Sequence, residues 1–239
     1  MSEKGQKVAI ITGGSQGIGA GLVGAYRRRG WSVVANARAM KPAEDPDVLT
    51  VEGDIADPAT AGRIVGAALE RFGRIDTLVN NAGIYLSKPF TDYTAEDYAL
   101  VTGVNLSGFF WLTQRVIAEM LKRPGGGHVV NISATVAEVA NSGVPEVLAA
   151  LTKGGLASAT RSLAVEYASR GIRVNAVSPG IIQTPMHPPE SYEGLGDKLP
   201  PLGRVGQVSD VVDGILFLEA SPYITGEILH IDGGRIAGH

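Results

Sequence analysis

Short runs of consecutive apolar and β-branched residues recur along the chain, separated by longer amphipathic stretches. Seven runs have this character: Val8–Thr12, Trp31–Ala35, Val48–Val51, Thr77–Asn80, His128–Ile132, Arg173–Val177 and Glu227–Ile231. Within each run the hydrophobic positions are continuous rather than alternating, which indicates strands that are covered on both faces. The pattern therefore predicts a parallel β-sheet.

Five amphipathic stretches between these runs predict helices. They are Gly17–Arg29, Ala59–Phe72, Thr94–Leu121 with a break, Pro145–Ser169 and Gln207–Ala220. Strands that alternate with helices are typical of a doubly wound α/β fold, in which helices cover both faces of the sheet. No internal repeat or linker interrupts the pattern, so we expect a single domain over residues 1–239.

A glycine-rich turn joins the first predicted strand to the first helix, in Thr12-Gly13-Gly14-Ser15-Gln16-Gly17-Ile18-Gly19. Gly13 permits a tight turn, Gly17 lets a pyrophosphate approach the backbone, and Gly19 lets the helix pack closely on the sheet. The free N–H groups and the dipole at the start of the helix attract an anion. The turn predicts a Rossmann-type dinucleotide-binding fold.

Composition and charge favour a small molecule as the partner. The 239 residues carry 24 acidic and 21 basic side chains without long runs of one sign, which argues against nucleic acid or a membrane surface. Cysteine is absent, and the four histidines lack the spacing of metal ligands, so we expect no metal. No apolar stretch approaches the roughly 18 residues of a membrane helix, and no signal pattern precedes the first strand. We expect a cytoplasmic protein.

The segment from Pro179 to Gly206 interrupts the alternation of strands and helices. It contains prolines at positions 179, 185, 188, 189, 200 and 201 and lacks sustained periodicity. Long irregular segments in compact domains are often lids or binding loops. We therefore expect residues 185–206 to close over a substrate, with His187 and Tyr192 as candidate wall residues.

Four further motifs follow the glycine-rich turn along the chain. They are Asn80-Asn81-Ala82-Gly83, Asn105 in Val104-Asn105-Leu106-Ser107-Gly108, Ser133 in Asn131-Ile132-Ser133, and Lys153. With the turn, they resemble the short-chain dehydrogenases/reductases over nearly the whole chain. The resemblance implies hydride transfer between a nicotinamide cofactor and an organic carbonyl/alcohol substrate. It also implies a seven-stranded parallel sheet in the order 3-2-1-4-5-6-7.

The same resemblance implies which residues hold the cofactor. Asp54-Ile55 resembles the pair that flanks adenine, and Pro179-Gly180-Ile181-Ile182-Gln183-Thr184 resembles the segment that holds the nicotinamide carboxamide. The full expected set is Gly13, Ser15, Gln16, Gly17, Ile18, Gly19, Arg38, Asp54, Ile55, Asn81, Ala82, Gly83, Lys153, Pro179, Gly180, Ile182 and Thr184.

The end of the second predicted strand bears on the choice of cofactor. NAD-preferring relatives usually carry an aspartate where this chain has Ala37. Arg38 follows and can offer a planar donor fork to a 2′-phosphate. Gln16 stands where many NADP-preferring relatives have a basic residue. We expect NADP(H) to be preferred, with NAD(H) as the alternative.

One residue departs from the catalytic pattern of the resembling family. There, a tyrosine four residues before the lysine gives the proton, the lysine lowers the tyrosine pKa and holds the nicotinamide ribose, the serine orients the carbonyl, and the asparagine supports a relay water. Lys153, Ser133 and Asn105 match this pattern, but Ala149 occupies the tyrosine position. Some enoyl reductases of the superfamily place their tyrosine seven residues before the lysine, which is Glu146 here.

Three interpretations of Ala149 stay open. In the first, a carbonyl is reduced with a substitute donor: Ser133, Lys153, Glu146, a water held by Asn105, or one of Tyr85, Tyr192 and His187 from the pocket. In the second, the substrate is a C=N compound that arrives as an iminium ion and needs no proton, with Glu146 as counter-ion. In the third, the chain is a disabled mutant, or a regulatory protein that only binds its nucleotide. We rank carbonyl chemistry first.

The resemblance also bears on assembly. The predicted helices around Asn105 and Lys153 have broad apolar faces, and relatives use these helices to dimerise. The C-terminal residues 224–234 resemble the last strand of the family, which often completes a tetramer. We expect a homotetramer, with a dimer as the second choice.

Overall fold

The computed structural model describes residues 5–141, 143–187 and 199–238. Its strands are β1 (Val8–Thr12), β2 (Ser32–Ala37), β3 (Val48–Glu52), β4 (Thr77–Asn80), β5 (Gly127–Ile132), β6 (Ile172–Pro179) and β7 (Ile228–Ile231). They form one parallel seven-stranded sheet in the order β3-β2-β1-β4-β5-β6-β7. The predicted fold class and strand order are confirmed.

Helices cover both faces of this sheet. They are α1 (Gly17–Arg28), α2 (Pro58–Phe72), α3 (Ala95–Thr102), α4 (Gly108–Met120), α5 (Val147–Tyr167) and α6 (Val208–Ala220). On one face, α2 and α4 bury side chains such as Ile64 and Leu112 against the strands. On the other, α1 and α6 bury Leu22 and Ile215. Because both faces are covered, every residue of β1 is buried, which explains its uninterrupted apolar sequence.

The predicted break within Thr94–Leu121 takes the form of a change of helix type, because the chain stays helical from Ala95 to Met120 but the α-helix is interrupted. Residues Gly103–Ser107 form a π-helical turn between α3 and α4, in which the N–H of Gly108 donates to the carbonyl of Gly103. Such turns hold one extra residue and frequently occur at functional sites. The π turn carries Asn105, one of the expected catalytic residues.

The irregular segment after β6 is described only in part. Residues 188–198, including the candidate Tyr192, lie outside the described residues. A single bridge pairs Ile182 with Gly206 and joins the two described ends of the segment. No helix in the described part of the chain is long and apolar enough to cross a membrane.

Candidate active site

A cavity of about 740 Å³ opens where the strands end at their carboxyl edge. The first residues after β1, β2, β3, β4, β5 and β6 all contribute to its wall, as expected for the ligand crevice of a doubly wound sheet. All the residues expected at the cofactor lie on this wall except Gly19, which is buried beneath the turn. Ser133, Ala149 and Lys153 lie on the same wall, whereas Asn105 and Glu146 do not.

Glycine is required at two positions of the turn between β1 and α1. Gly13 has a φ of +65°, and a Cβ there would lie 2.9 Å from Nδ2 of Asn81. A Cβ on Gly19 would lie 2.0 Å from the carbonyl oxygen of Gly13, so any side chain would force the helix away from the turn. The backbone at the start of α1 is therefore left open toward the cavity.

Thr12, at the end of β1, ties this turn to the segment after β4. Its Oγ1 accepts hydrogen bonds from the N–H of Asn81 at 3.0 Å and of Ala82 at 2.9 Å. The Asn81 Nδ2 donates in return to the carbonyls of Thr12 at 2.9 Å and Gly13 at 3.2 Å. Two motifs that are 68 residues apart thus form one rigid wall. The sequence analysis did not assign Thr12 this role.

The end of β2 provides an unsatisfied acceptor and a cation. Asn36 donates through Nδ2 to the carbonyls of Val51 at 2.9 Å and Gly53 at 3.1 Å, while its buried Oδ1 has no partner in the described part of the chain. Arg38 lies on the wall and forms no ion pair with any residue that the structure describes. The guanidinium of Arg38 is therefore available to a ligand.

Asn105 is buried in the π turn and fixes the segment after β4. Its Oδ1 accepts the N–H of Ile84 at 2.9 Å, and its Nδ2 donates to the carbonyl of Ile84 at 3.0 Å and to Oγ1 of Thr152 at 3.2 Å. The amide thus joins the cavity wall to α5. Thr152, which the sequence analysis missed, is the neighbour of Lys153 on that helix.

Lys153 and Ser133 are linked to each other through the end of β5. The Nζ of Lys153 donates to the carbonyl oxygen of Ile132 at 2.7 Å, and the Oγ of Ser133 donates to the carbonyl oxygen of Lys153 at 3.2 Å. Removal of water from the partly buried ammonium lowers the pKa of Lys153 to about 8. Lys153 is a stronger acid than an exposed lysine.

Ala149 lies one helical turn before Lys153, and both side chains face the cavity. The methyl group is buried, with 4% of the residue exposed. It can neither donate nor accept a hydrogen bond. Ser133 and Lys153 are polar residues of the same wall.

Glu146 precedes α5 and reaches the cavity only through Tyr85. The Oη of Tyr85 donates to Oε2 of Glu146 at 3.1 Å, and Tyr85 lies on the wall. Partial burial and the adjacent carboxylate raise the pKa of Tyr85. The pair places a negative charge behind the rim of the cavity.

His187 lies beside Tyr85, with 6.3 Å between the two ring centroids. Burial lowers the pKa of His187, so its imidazole is neutral at pH 7. Apolar side chains that no motif indicated also lie on the wall: Leu100, Val104, Val136 and Met186. Within the described ranges, no group of three histidine or carboxylate side chains is placed to hold a metal ion.

Comparison with known proteins connects this cavity to a family. A family model described as enoyl-(acyl carrier protein) reductase matches residues 13–235. The 3-oxoacyl-[acyl-carrier-protein] reductase FabG of Thermotoga maritima is 36% identical over 247 residues, which cover 96% of this chain and 98% of the relative.

Solved structures are similar over the same extent. ElxO with NADP bound is 29% identical, with a TM-score of 0.87 over 98% of this chain and 100% of that one. The 3-ketoacyl-(acyl-carrier-protein) reductase of Brucella melitensis complexed with NADH is 30% identical, with a TM-score of 0.86 over 96% of this chain and 98% of that one. Sequence and fold are therefore similar along nearly the whole chain. The chain therefore belongs to the short-chain dehydrogenase/reductase family of nicotinamide-dependent oxidoreductases.

Proposed function

We propose that this protein transfers hydride between NADP(H) and an organic carbonyl/alcohol pair. The observation that carries the proposal is a single cavity whose wall contains both the glycine-rich turn and the group formed by Ser133, Ala149 and Lys153. A nucleotide at the turn and a substrate beside Lys153 would share one space. The name of the Thermotoga maritima relative, a 3-oxoacyl reductase, favours a ketone as the substrate.

The residues of this cavity fit a dinucleotide. Gly13 and Gly17 leave backbone uncovered at the start of α1, where free N–H groups attract a diphosphate. Asp54 and Ile55 would contact the adenine, and the segment after β6 would hold the nicotinamide end together with Lys153. Reduced nicotinamide, when bound, supplies the hydride.

The preference for NADP(H) rests on the end of β2. Ala37 brings no carboxylate that would repel a 2′-phosphate, and the guanidinium of Arg38 lies on the wall without a carboxylate partner in the described ranges. Two solved relatives of nearly equal identity hold NADP and NADH respectively. The preference is therefore argued from these two side chains and not from the relatives.

Ala149 occupies the position where we expect the tyrosine of the family. The retained polar groups must therefore stabilise the charge on the substrate oxygen and supply its proton. The hydroxyl of Ser133 turns from the Lys153 carbonyl toward the substrate oxygen and stabilises the charge that develops there. Asn105 keeps Ile84 and the cavity wall in place. The absence of the tyrosine proton costs about 10²–10⁴-fold in rate unless another group donates.

A C=N substrate is the second candidate, and the Tyr85–Glu146 pair favours it. An iminium ion already carries its positive charge, so hydride transfer neutralises it and needs no acid at position 149. A carboxylate hydrogen-bonded to a residue of the cavity wall attracts such a cation. The Glu146→Gln substitution keeps the acceptor for Tyr85 but removes the charge. It should raise the KM of cyclic imines several-fold and leave the KM of ketones unchanged.

The deciding experiment follows NADPH oxidation by the unaltered protein and by its Ala149→Tyr variant on matched panels of ketones and cyclic imines, with NADH run in parallel. Ketone turnover by the unaltered chain, increased by the tyrosine, supports carbonyl chemistry with a substitute donor. Imine turnover with no gain from tyrosine supports the second candidate. Turnover by the variant alone marks a disabled enzyme, and tight NADPH binding without turnover in either protein marks a regulatory one.

We further propose a homotetramer, with a dimer as the second choice. A cavity of about 410 Å³ lies between α4 and α5 and leaves aromatic side chains such as Phe110 accessible to a second copy. Light scattering after gel filtration measures the mass directly, and a monomer would refute both states. We keep the cytoplasmic location as a prediction, which fractionation of the source cells tests.

A further inference from the structure

We infer that Lys153 is itself the proton donor for the carbonyl reduction proposed above, acting in the space that Ala149 leaves open. The inference rests on the proposed function and names the group that replaces the missing acid. It follows from comparing what each polar group on the described cavity wall does with its own proton.

Ser133 and Tyr85 are poorly suited to give up a proton. The hydroxyl proton of Ser133 is directed to the carbonyl oxygen of Lys153, and an aliphatic hydroxyl is a very weak acid. Tyr85 directs its proton to Glu146, and both its burial and that carboxylate raise the pKa of Tyr85. Each hydroxyl can stabilise charge on a substrate oxygen, but neither is an effective acid at neutral pH.

The remaining titratable groups are also excluded by charge or position. His187 lies on the wall, but burial lowers its pKa and leaves it without a transferable proton at pH 7. Glu146 is an acceptor for Tyr85 and does not reach the wall. Asp54 and Arg38 lie at the ends of β3 and β2, which are at least three strands away from β5 in the sheet.

Lys153 carries a transferable proton, and a hydrogen bond holds its ammonium at the cavity wall. Its ammonium carries three N–H donors, of which one is used by the carbonyl of Ile132 at 2.7 Å. It faces the cavity on the same side of α5 as Ala149. Asn105 in the π turn and Ser133 after β5 do not titrate, and His128 lies at the other end of β5, away from the cavity. With a pKa of about 8, Lys153 is protonated at pH 7 and close to the value at which general acids work best.

The proposed step is balanced in atoms and electrons. The carbonyl carbon receives a hydride, with its electron pair, from the reduced nicotinamide of the proposed function. The carbonyl π bond breaks toward oxygen, one N–H bond of Lys153 breaks, and an O–H bond forms, either directly or through one water molecule beside Ala149. The neutral amine that remains is protonated again from solvent before the next turnover.

The first test is made on the cofactor-free protein. Acetic anhydride at a series of pH values acetylates only neutral amines, and mass spectrometry resolves each lysine. Lys153 should react with a midpoint near pH 8, whereas a lysine-containing reference peptide in the same solution should react with a midpoint of about 10.4. A midpoint above pH 10 for Lys153 would overturn the inference.

The second test is kinetic and uses saturating NADPH with a ketone. For the unaltered protein, kcat should fall about tenfold per pH unit above pH 8. Lys153→Arg keeps the charge but holds its proton too tightly, so kcat should fall by about 10²–10⁴-fold. The double variant Lys153→Arg with Ala149→Tyr should recover most of this loss, since the tyrosine supplies the proton. NADPH binding, followed by nucleotide fluorescence, sets the saturating concentration for each variant, so that a change in the Kd of NADPH does not enter kcat.

The outcomes separate the inference from the function on which it rests. Ketone turnover that is independent of pH up to 9.5, or that survives Lys153→Arg, refutes Lys153 as the donor and leaves the carbonyl reductase standing. Failure of both the unaltered protein and Ala149→Tyr to reduce any ketone refutes the proposed function and the inference with it. Loss of NADPH binding in Lys153→Arg, without recovery in the double variant, shows that Lys153 only holds the cofactor and overturns its role as an acid.

Discussion

The side chains of His128 and Glu219 are joined by a hydrogen bond of 3.0 Å between Nδ1 and Oε2, at the edge of the sheet opposite the cavity. The other imidazole nitrogen, Nε2, faces Nδ2 of Asn175 at 3.1 Å. The amide of Asn175 cannot reverse, because its Oδ1 accepts the N–H of Glu227 and its Nδ2 also donates to a backbone carbonyl. Nε2 must therefore accept, and Nδ1 carries the proton, so His128 is neutral in the folded protein.

Acid should therefore destabilise the fold before the carboxylates are protonated. Burial lowers the pKa of His128 in the folded state, while the pKa in the unfolded chain stays at about 6.5. Below that pH the unfolded state binds more protons, so the free energy of unfolding falls, by at most about 1.4 kcal/mol per pH unit. Above about pH 7 the contribution of His128 is constant. Urea unfolding between pH 5.0 and 7.5 measures this slope.

A variant at this histidine isolates the effect. His128→Gln removes the titrating group and should flatten the slope, although it lowers stability at every pH. Equal slopes in the variant and in the unaltered protein would contradict the prediction.

Alanine at two helical glycines should have opposite effects. Gly19→Ala places a methyl group 2.0 Å from the carbonyl oxygen of Gly13, so we expect a loss of more than about 2 kcal/mol and of NADPH binding. Gly66 lies exposed in α2 with no neighbouring atom within 4 Å of a Cβ. Gly66→Ala should stabilise the protein by about 0.5–1 kcal/mol. Chemical denaturation and nucleotide fluorescence measure both, and equal effects would exclude the packing argument.

Arg38→Leu tests the selection of the cofactor. A charge-assisted contact to the 2′-phosphate contributes about 1.5–3 kcal/mol, so the Kd of NADPH should rise at least about tenfold while that of NADH stays within about twofold. Arg28→Leu, on the exposed surface of α1, removes the same charge away from the cavity and should change neither value. Parallel changes in both cofactors would mean that Arg38 does not contact the phosphate.

Lys153→Met should stabilise the protein while it abolishes turnover. The pKa of Lys153 is about 8 in the folded state and ordinary, about 10.4, in the unfolded chain, so charging this group at pH 7 opposes folding. Methionine removes the charge but also the hydrogen bond to Ile132, which leaves an expected gain of about 1–2 kcal/mol at pH 7. The gain should shrink as the pH rises from 8 to 10.4. Thermal unfolding at pH 7 and 9.5 checks this, and a variant that is less stable at pH 7 would disprove it.

The sheet could be predicted from the sequence because strands that are buried on both faces have uninterrupted apolar sequences. The apolar runs at Val8–Thr12 and Thr77–Asn80 match β1 and β4 without error, and β6 differs only by beginning one residue earlier and extending to Pro179. The glycine-rich turn could also be predicted from the sequence, because steric contacts at Gly19 allow no other residue there. Both signals are local, so a single sequence contains them.

Contacts between loops that are far apart in the sequence produce no comparable pattern of residues. Nothing in the sequence indicates that Tyr85 bonds to Glu146, 61 residues later, or that Asn105 is buried behind Ile84 instead of facing the cavity. These contacts depend on where two irregular segments meet after the sheet has formed, and irregular segments have no periodicity. The pKa of Lys153 depends on the same packing, so it required the structure.

The π turn at Gly103–Ser107 constrains the number of residues that α3 and α4 can contain as the sequence evolves. An α-helix advances about 100° per residue, so deletion of one residue would convert the turn to ordinary α-helix and rotate α3 against α4 by about that angle. Either Asn105 would leave Thr152, or the apolar face of α4 would leave the core. Substitutions can accumulate along these helices, but a change of one residue in their length cannot be tolerated without losing the wall of the cavity.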